Sequence, residues 1–406
     1  MSNEPQSQNR GSLILYYLNA YLTLLAANMF LYGIVIFTTQ MTGSSGFTGI
    51  VFLTTFLLPL LFSIPAGALI DSRSRKVILF ISQVIFAISA LALFLLVHGE
   101  ILTSSTRWLL IGIALANGAG YTLMIPARLA ILGDLTPQEN VGKATILLNV
   151  LVILGFSSAP VVAGQIRQNF PFDFLFLAIA GIFLLAFLIL LLVRTHSTII
   201  RTGASTPTLV ALRESFGYIG KNPLVKQLLI FTSVALFMLG PIQVIFPRFA
   251  QSILEMSESG RGIFLSALGI GLFTGSVVAN ILNKGKKRGW IILATALVAG
   301  LATVAFANSR LVAPAMILLG TVGLCGGVVN SLVPAALQHH VPNELRGRVM
   351  SVYSLVFQIT PAVSGALSGI LADKLGIAAA VAYSGFAVAA LVLLGGLTMR
   401  SIRTYD

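Results

Sequence analysis

Charge is the scarcest commodity in this sequence. Of 406 residues only 12 are Asp or Glu, and charged residues of both signs make up 9%, against roughly 25% in an average soluble domain. So few charges cannot clothe a water-facing surface of this size, which excludes soluble enzyme folds. A single cysteine, Cys325, excludes a disulfide framework and a multi-cysteine metal site. The histidines stand at 98, 196, 339 and 340, and the adjacent pair His339-His340 lacks further ligands, so no metal and no cofactor is expected. There is no HExxH, no Walker motif, no intramembrane aspartate pair and no serine with a placed histidine. A membrane-embedded enzyme is therefore the disfavoured class, and ATP is not the direct energy source. The strict alternation of barrel strands is also missing. The first twelve residues are polar and lack a cleavable leader pattern, so the first span is expected to be retained.

What the chain has is apolar length. Hydrophobic residues make up 57%, and continuous runs near twenty residues recur throughout, which is the signal of transmembrane helices. The reading is an all-α polytopic membrane protein of twelve transmembrane helices. Spans one to six cover about 13–38, 48–70, 77–97, 108–132, 142–165 and 172–193. Spans seven to twelve cover about 226–254, 260–282, 290–308, 312–337, 347–372 and 375–399. Three parts follow: an N-terminal six-helix bundle at 1–193, a polar linker at 194–225, and a C-terminal bundle at 226–406. In the linker, Leu209, Leu212, Phe216 and Ile219 recur at helical spacing beside Arg213, Glu214 and Lys221. That pattern reads as an interfacial amphipathic helix, with an ordinary solvated linker as the alternative.

The net charge of +13 does not point to nucleic acid, because the basic residues sit in short loops. With the N-terminus inside, the cytoplasmic segments hold 18 Lys and Arg and the outer loops hold 6. Both termini are therefore expected in the cytoplasm.

The two halves echo each other. GALIDSRSRK at 67–76 is matched by ANILNKGKKR at 279–288, so that Gly67 answers Ala279, Asp71 answers Asn283, Arg75 answers Lys287 and Lys76 answers Arg288. A second echo pairs 125–144 with 333–350: Pro126 with Pro334, Pro137 with Pro342, Glu139 with Glu344 and Gly142 with Gly347. Parallel six-helix repeats are a transporter architecture.

The segment Gly67–Lys76 resembles the signature of the major facilitator superfamily, Gly-x3-Asp-x3-Arg-Lys/Arg between helices two and three. With twelve spans and a degenerate second copy, the resemblance covers nearly the whole chain. It implies two six-helix bundles with pseudo-twofold symmetry, a monomer, and no catalysis. SFGYIGKNPLVKQLL before span seven and PAR…LTPQENVGKATILLN resemble the enterobactin-exporter and macrolide-efflux branch, implying drug:proton antiport in a bacterial inner membrane. GFSSAPVVAG resembles the antiporter motif of helix five: Gly155, Pro160 and Gly164 match, while Ala159 and Ala163 replace glycines. Plain close packing is the competing account of those small residues.

The same resemblance suggests how a gate could work. Gly67 lets another helix approach, Asp71 could dock on the positive end of span eleven, and Arg75 could bridge Asp71 to Asp134. Lys76 and Asn283 complete the two signature copies. Asn283 carries no charge, and His339 falls opposite Asp134, so the gate is expected to be lopsided.

The family resemblance also implies a midplane cavity lined by spans one, four, seven and ten. Their polar and aromatic members are Asn19, Asn28, Tyr32, Asn117, Tyr121, Arg128, Gln243 and Asn330, each expected to face protein or water. Helix-to-helix hydrogen bonding is the alternative role for any one amide. Arg128 is the one Lys or Arg counted with neither the cytoplasmic segments nor the outer loops. It could attract an anionic substrate group, influence proton coupling, snorkel to the interface, or pair with Asp134. No Asp or Glu sits at mid-membrane, so proton coupling rests on the resemblance, with Asp71, Asp134 or the substrate itself as the available carrier, and with a facilitator or another coupling ion as the alternatives. Gly240-Pro241 and Pro247 predict two breaks in span seven. Together these features predict export of a small amphipathic organic molecule, a siderophore or drug, through a lipid-embedded carrier with protons as the coupling ion. The alternative within the fold is a lysophospholipid translocator.

Overall fold

Apolar runs bounded by short polar loops dictate the architecture, since a backbone in lipid must satisfy its own hydrogen bonds. The computed structural model describes residues 4–195, 216–283, 285 and 287–405, and for 4–9, 63–72, 343 and 344 the backbone course alone. The side chains of Gly67 and Asp71 thus lie outside the described residues, as does most of the Leu209–Lys221 linker helix. Its last part, 216–221, is helical, with Ile219 buried and Phe216 exposed.

Among the described residues twelve helices are long and apolar enough to cross a membrane. Among the described residues every regular element is helical. Several helices outrun their apolar windows. Span one extends over Glu4–Thr42 and span eleven over Asn343–Leu375, because helical hydrogen bonding continues after the side chains turn polar.

Span seven is the exception to continuity. It consists of Pro223–Leu236, Leu239–Val244 and Phe246–Ser252. Each break lies just before a proline, at Phe237-Met238 for Pro241 and at Ile245 for Pro247. The physical reason is that proline removes the hydrogen bond to the carbonyl four residues earlier and its ring crowds that carbonyl.

The chain forms two compact units. One comprises Met1–Thr42 and Thr54–Ala204, and the other Gly43–Leu53 and Ser205–Asp406. In the first, span three packs on spans four and six, and span one on spans five and six. Its core is aromatic: Phe86 stacks on Phe183 at 5.1 Å and meets Tyr121 edge-on at 5.1 Å. A polar hub ties three helices together. Gln83 donates to Asn19 at 3.2 Å and Thr23 at 3.1 Å, and Asn19 donates to the Ala186 carbonyl at 2.6 Å.

In the second unit, span eight packs on span ten, and span nine on spans ten and twelve. Phe246 stacks on Phe306 at 4.3 Å. Lipid offers no hydrophobic drive between helices, so close approach through small residues carries the packing. Gly240 shows the constraint: a Cβ there would sit 2.2 Å from the Gly365 nitrogen and 2.3 Å from the Pro361 carbonyl.

Candidate functional site

The start of span three and the end of span four bring two of the expected gate residues together. Arg75 opens span three, which runs Arg75–His98, and Asp134 lies in the last turn of span four, which runs Leu109–Leu135. An acid in the last turn faces the negative end of its helix dipole, so Asp134 gains from a cation. Arg75 Nη1 supplies it, bonding Asp134 Oδ1 and the Ala130 carbonyl at 3.0 Å. Asp134 Oδ2 is buried and has no partner. Lys76 does different work. Its Nζ bonds the Val193 carbonyl at 2.6 Å and the Leu191 carbonyl at 3.1 Å, capping the end of span six as a cation at a helix C-terminus. Asn283 closes span eight, its backbone N–H bonding the Ala279 carbonyl at 2.8 Å.

A second feature runs along span four. At 100° per residue, Asn117, Tyr121 and Arg128 fall within about 40° of one helical face. Asn117 is completely buried, and neither end of its amide has a partner. The Tyr121 hydroxyl donates to the Ala27 carbonyl at 3.1 Å. Phe56 stacks on the Tyr121 ring at 6.0 Å. The Tyr16 hydroxyl of span one donates to the Arg128 carbonyl at 2.5 Å. Arg128 itself has two sealed guanidinium nitrogens, Nε and Nη1, without a hydrogen-bond partner. Helical side chains lean toward the N-terminus, so the arginine stem reaches back toward the Tyr121 level. Both Tyr16 and Tyr121 lie close enough to interact electrostatically with the guanidinium.

The remaining residues of the expected cavity are dispersed. Asn19 spends both ends of its amide inside the first unit, as described above. Asn28 is half-buried and donates to its own helix at the Leu24 carbonyl, 2.7 Å away. Tyr32 is buried in span one. Gln243 is half-buried in the middle piece of span seven. Asn330 accepts from the Tyr353 hydroxyl at 3.4 Å and lines a small cavity of about 30 Å³ with Cys325 and Val329. In span five, Ala159 and Ala163 are fully buried and Gly164 is buried, while Pro160 is half-buried. A Cβ on Gly155 would come 2.9 Å from Leu24 Cβ, so this small-residue face presses directly on span one.

One charged group escaped the sequence reading altogether. Asp373, in the last helical turns of span eleven, caps the start of span two. Its carboxylate accepts from the Ser45 N–H at 2.8 Å, the Gly46 N–H at 2.9 Å and the Ser44 hydroxyl at 2.6 Å. Arg248 lies 3.6 Å from the same carboxylate and donates to Ser45 Oγ at 2.7 Å. All five residues belong to the second unit. The available signal was Asp373 itself, an acid at the unfavourable end of its own helix and therefore in need of positive partners elsewhere.

A profile of the Major Facilitator Superfamily matches residues 14–365 and, in a second match, 277–403. The chain is 23% identical over 340 residues to the enterobactin exporter EntS of Salmonella typhimurium, covering 84% of this chain and 80% of that protein. It is 25% identical over 353 residues to the multidrug efflux pump Tap of Mycolicibacterium fortuitum, covering 83% of each. Among solved structures it resembles the nucleoside transporter NupG, with a TM-score of 0.82 at 12% identity, over 96% of this chain and 100% of that one. A bacterial homologue of the human lysosomal transporter Spinster gives a TM-score of 0.75 at 14% identity, over 100% of this chain and 98% of that one. At these identities the structural likeness speaks for the fold.

Proposed function

Because the chain belongs to the Major Facilitator Superfamily, we propose that this multi-pass membrane transporter exports a small amphipathic organic molecule, a siderophore or drug-like compound, by alternating access with proton antiport. It is a transporter and not an enzyme. The observation that carries the proposal is the buried face of span four. Asn117 and Arg128 hold polar atoms that the described protein leaves unpartnered, and Tyr121 between them offers an aromatic surface. Unmade hydrogen bonds in a buried site cost about 1–3 kcal/mol each. A substrate or water in that position would recover them. The likeness to EntS and Tap over at least four-fifths of each chain, their names describing export, supports the direction.

In this reading Asn28, Tyr32, Gln243 and Asn330 are substrate-binding residues in addition to Asn117, Tyr121 and Arg128, while Asn19, expected among them, instead braces span one against spans three and six. Gly67, Asp71, Arg75, Lys76, Asp134 and Asn283 form the cytoplasmic gate, and Gly155, Pro160 and Gly164 the antiporter segment. Asp134 is a candidate proton carrier, since its Oδ2 has no partner. The protein works as a monomer in a bacterial inner membrane with both termini in the cytoplasm.

Uptake into everted vesicles tests this, using catecholate siderophores and macrolides with and without an imposed pH gradient. Accumulation that collapses with the gradient is the expected result. Accumulation indifferent to the gradient removes the antiport step, and no accumulation of either class removes the export reading. A lysophospholipid arm belongs in the same assay. An apolar groove of about 570 Å³ within the second unit, lined by Phe237, Leu371, Tyr383 and Phe386, is the feature that favours a lipid substrate.

A further inference from the structure

We infer that Arg128 is the counter-charge for an organic oxyanion, so that the substrate is an anionic aromatic compound and not a neutral or cationic one. The inference rests on the export reading and narrows it. An arginine with two sealed, unpaired nitrogens is a deficit that the described residues around it do not fill. Among the described residues no carboxylate pairs with it: Asp134 is taken by Arg75, and Asp173 by His98 at 2.8 Å. The two tyrosines nearby each donate their only proton to a backbone carbonyl, Tyr16 to Arg128 and Tyr121 to Ala27. They can offer lone pairs to the cation but no charge. Snorkelling would put the whole guanidinium in water, whereas Nε and Nη1 have essentially no accessible surface even though the residue as a whole is half-buried.

The second half of the molecule supplies an internal control. Aligned on the prolines, Pro126 with Pro334, it places Cys325, Val329 and Ala336 opposite Asn117, Tyr121 and Arg128. Aligned on the helix-crossing glycines, Gly118 with Gly323, it places Val322, Gly326 and Val333 there. In either register the copy is apolar, and Val322, Cys325, Val333 and Ala336 are all buried. The fold therefore has no need of an arginine or an amide on this face.

Chemistry then selects the ligand. The guanidinium is a planar fork that meets carboxylate or phosphate through two parallel hydrogen bonds. The Tyr121 ring, backed by Phe56 and Phe86, suits a flat apolar body about a helical turn or two away.

Calorimetric binding to the purified full-length protein in lipid nanodiscs tests the assignment with four matched probes. These are 1-naphthoate, 1-naphthyl phosphate, 1-naphthamide and 1-naphthylmethylammonium. The two anions are expected to bind at least tenfold more tightly than the amide and the cation, and their order separates carboxylate from phosphate. Arg128→Gln should erase the preference. Arg128→Lys should keep it at several-fold lower affinity, because charge remains and the fork is lost. Tyr16→Phe should leave it in place. Equal affinity for naphthoate and naphthamide in the unmodified protein, a preference that survives Arg128→Gln, or no binding by any probe overturns the assignment. If Arg128→Gln fails to fold, the unmodified protein and Arg128→Lys still decide. Export of a neutral drug by a protein that ignores these anions would leave the export reading standing and remove this one.

Discussion

The two halves solve the same packing problem with different chemistry. Span four carries Asn117, Tyr121, Arg128 and Asp134, while span ten presents apolar residues opposite the first three and His339 opposite the last. The second signature copy likewise has Asn283 where the first has Asp71. Each half nevertheless buries a comparable helical core. The polarity of Asn117 and Arg128, whose buried atoms lack partners, is therefore surplus to folding, and in a membrane such surplus is expensive enough that it points to function.

The largest expected effect separates the halves at their charge clusters. Asp134→Ala strands Arg75, whose side chain is 20% exposed against 5% for Asp134. Removing one partner of a fully buried pair costs about 3–5 kcal/mol, and the partial exposure of Arg75 lowers this to about 2–3 kcal/mol. Asn283→Ala in the second half should stay within about 0.5 kcal/mol. Unfolding in mixed micelles measures both. Equal losses would dissolve the asymmetry.

Exchanging the midspan residues sharpens it further. Val322→Asn introduces into the second half the amide that the first half tolerates, and should destabilise by about 2 kcal/mol through an unsatisfied buried group. Asn117→Val does the reverse. It should stabilise by about 1 kcal/mol while lowering vesicle uptake, the pattern of a site whose function costs stability. A destabilised Asn117→Val variant would mean that ordered water already satisfies the amide.

The helices and the duplicated signature were legible because both are local. An apolar run needs no partner to be recognised, and the breaks in span seven follow from Pro241 and Pro247 alone. The Arg75–Asp134 pair was legible for a related reason: consecutive spans run antiparallel, so the start of span three lies beside the end of span four. Asn19 was harder. A buried amide looks the same in sequence whether it faces a cavity or, as here, bonds Gln83 and the Ala186 carbonyl. Least visible was the Asp373 cap, which joins residues 327 to 329 positions apart. No periodicity connects them, and only the position of an acid at the wrong end of its helix hints at the contact.

That cap yields the smallest effect and the most local one. Asp373→Asn keeps the size and one acceptor oxygen but removes the charge that faces the start of span two and Arg248. The Ser45 and Gly46 amides are among the orphan donors every helix leaves at its N-terminus. A carboxylate satisfies two of them and also complements the dipole, contributions of about 0.5–2 kcal/mol for a cap and about 0.3–1 kcal/mol for the charge. Because the asparagine retains part of the cap, the expected loss is about 1 kcal/mol. It should appear as roughly fivefold faster hydrogen exchange confined to the first turn of span two. Arg248→Gln should produce a smaller acceleration at the same amides, since it removes a neighbour of the carboxylate and not the acceptor itself. If exchange instead quickens along both spans two and four, the cap holds more than one helix end, and the polar and apolar halves are less independent than their sequences imply.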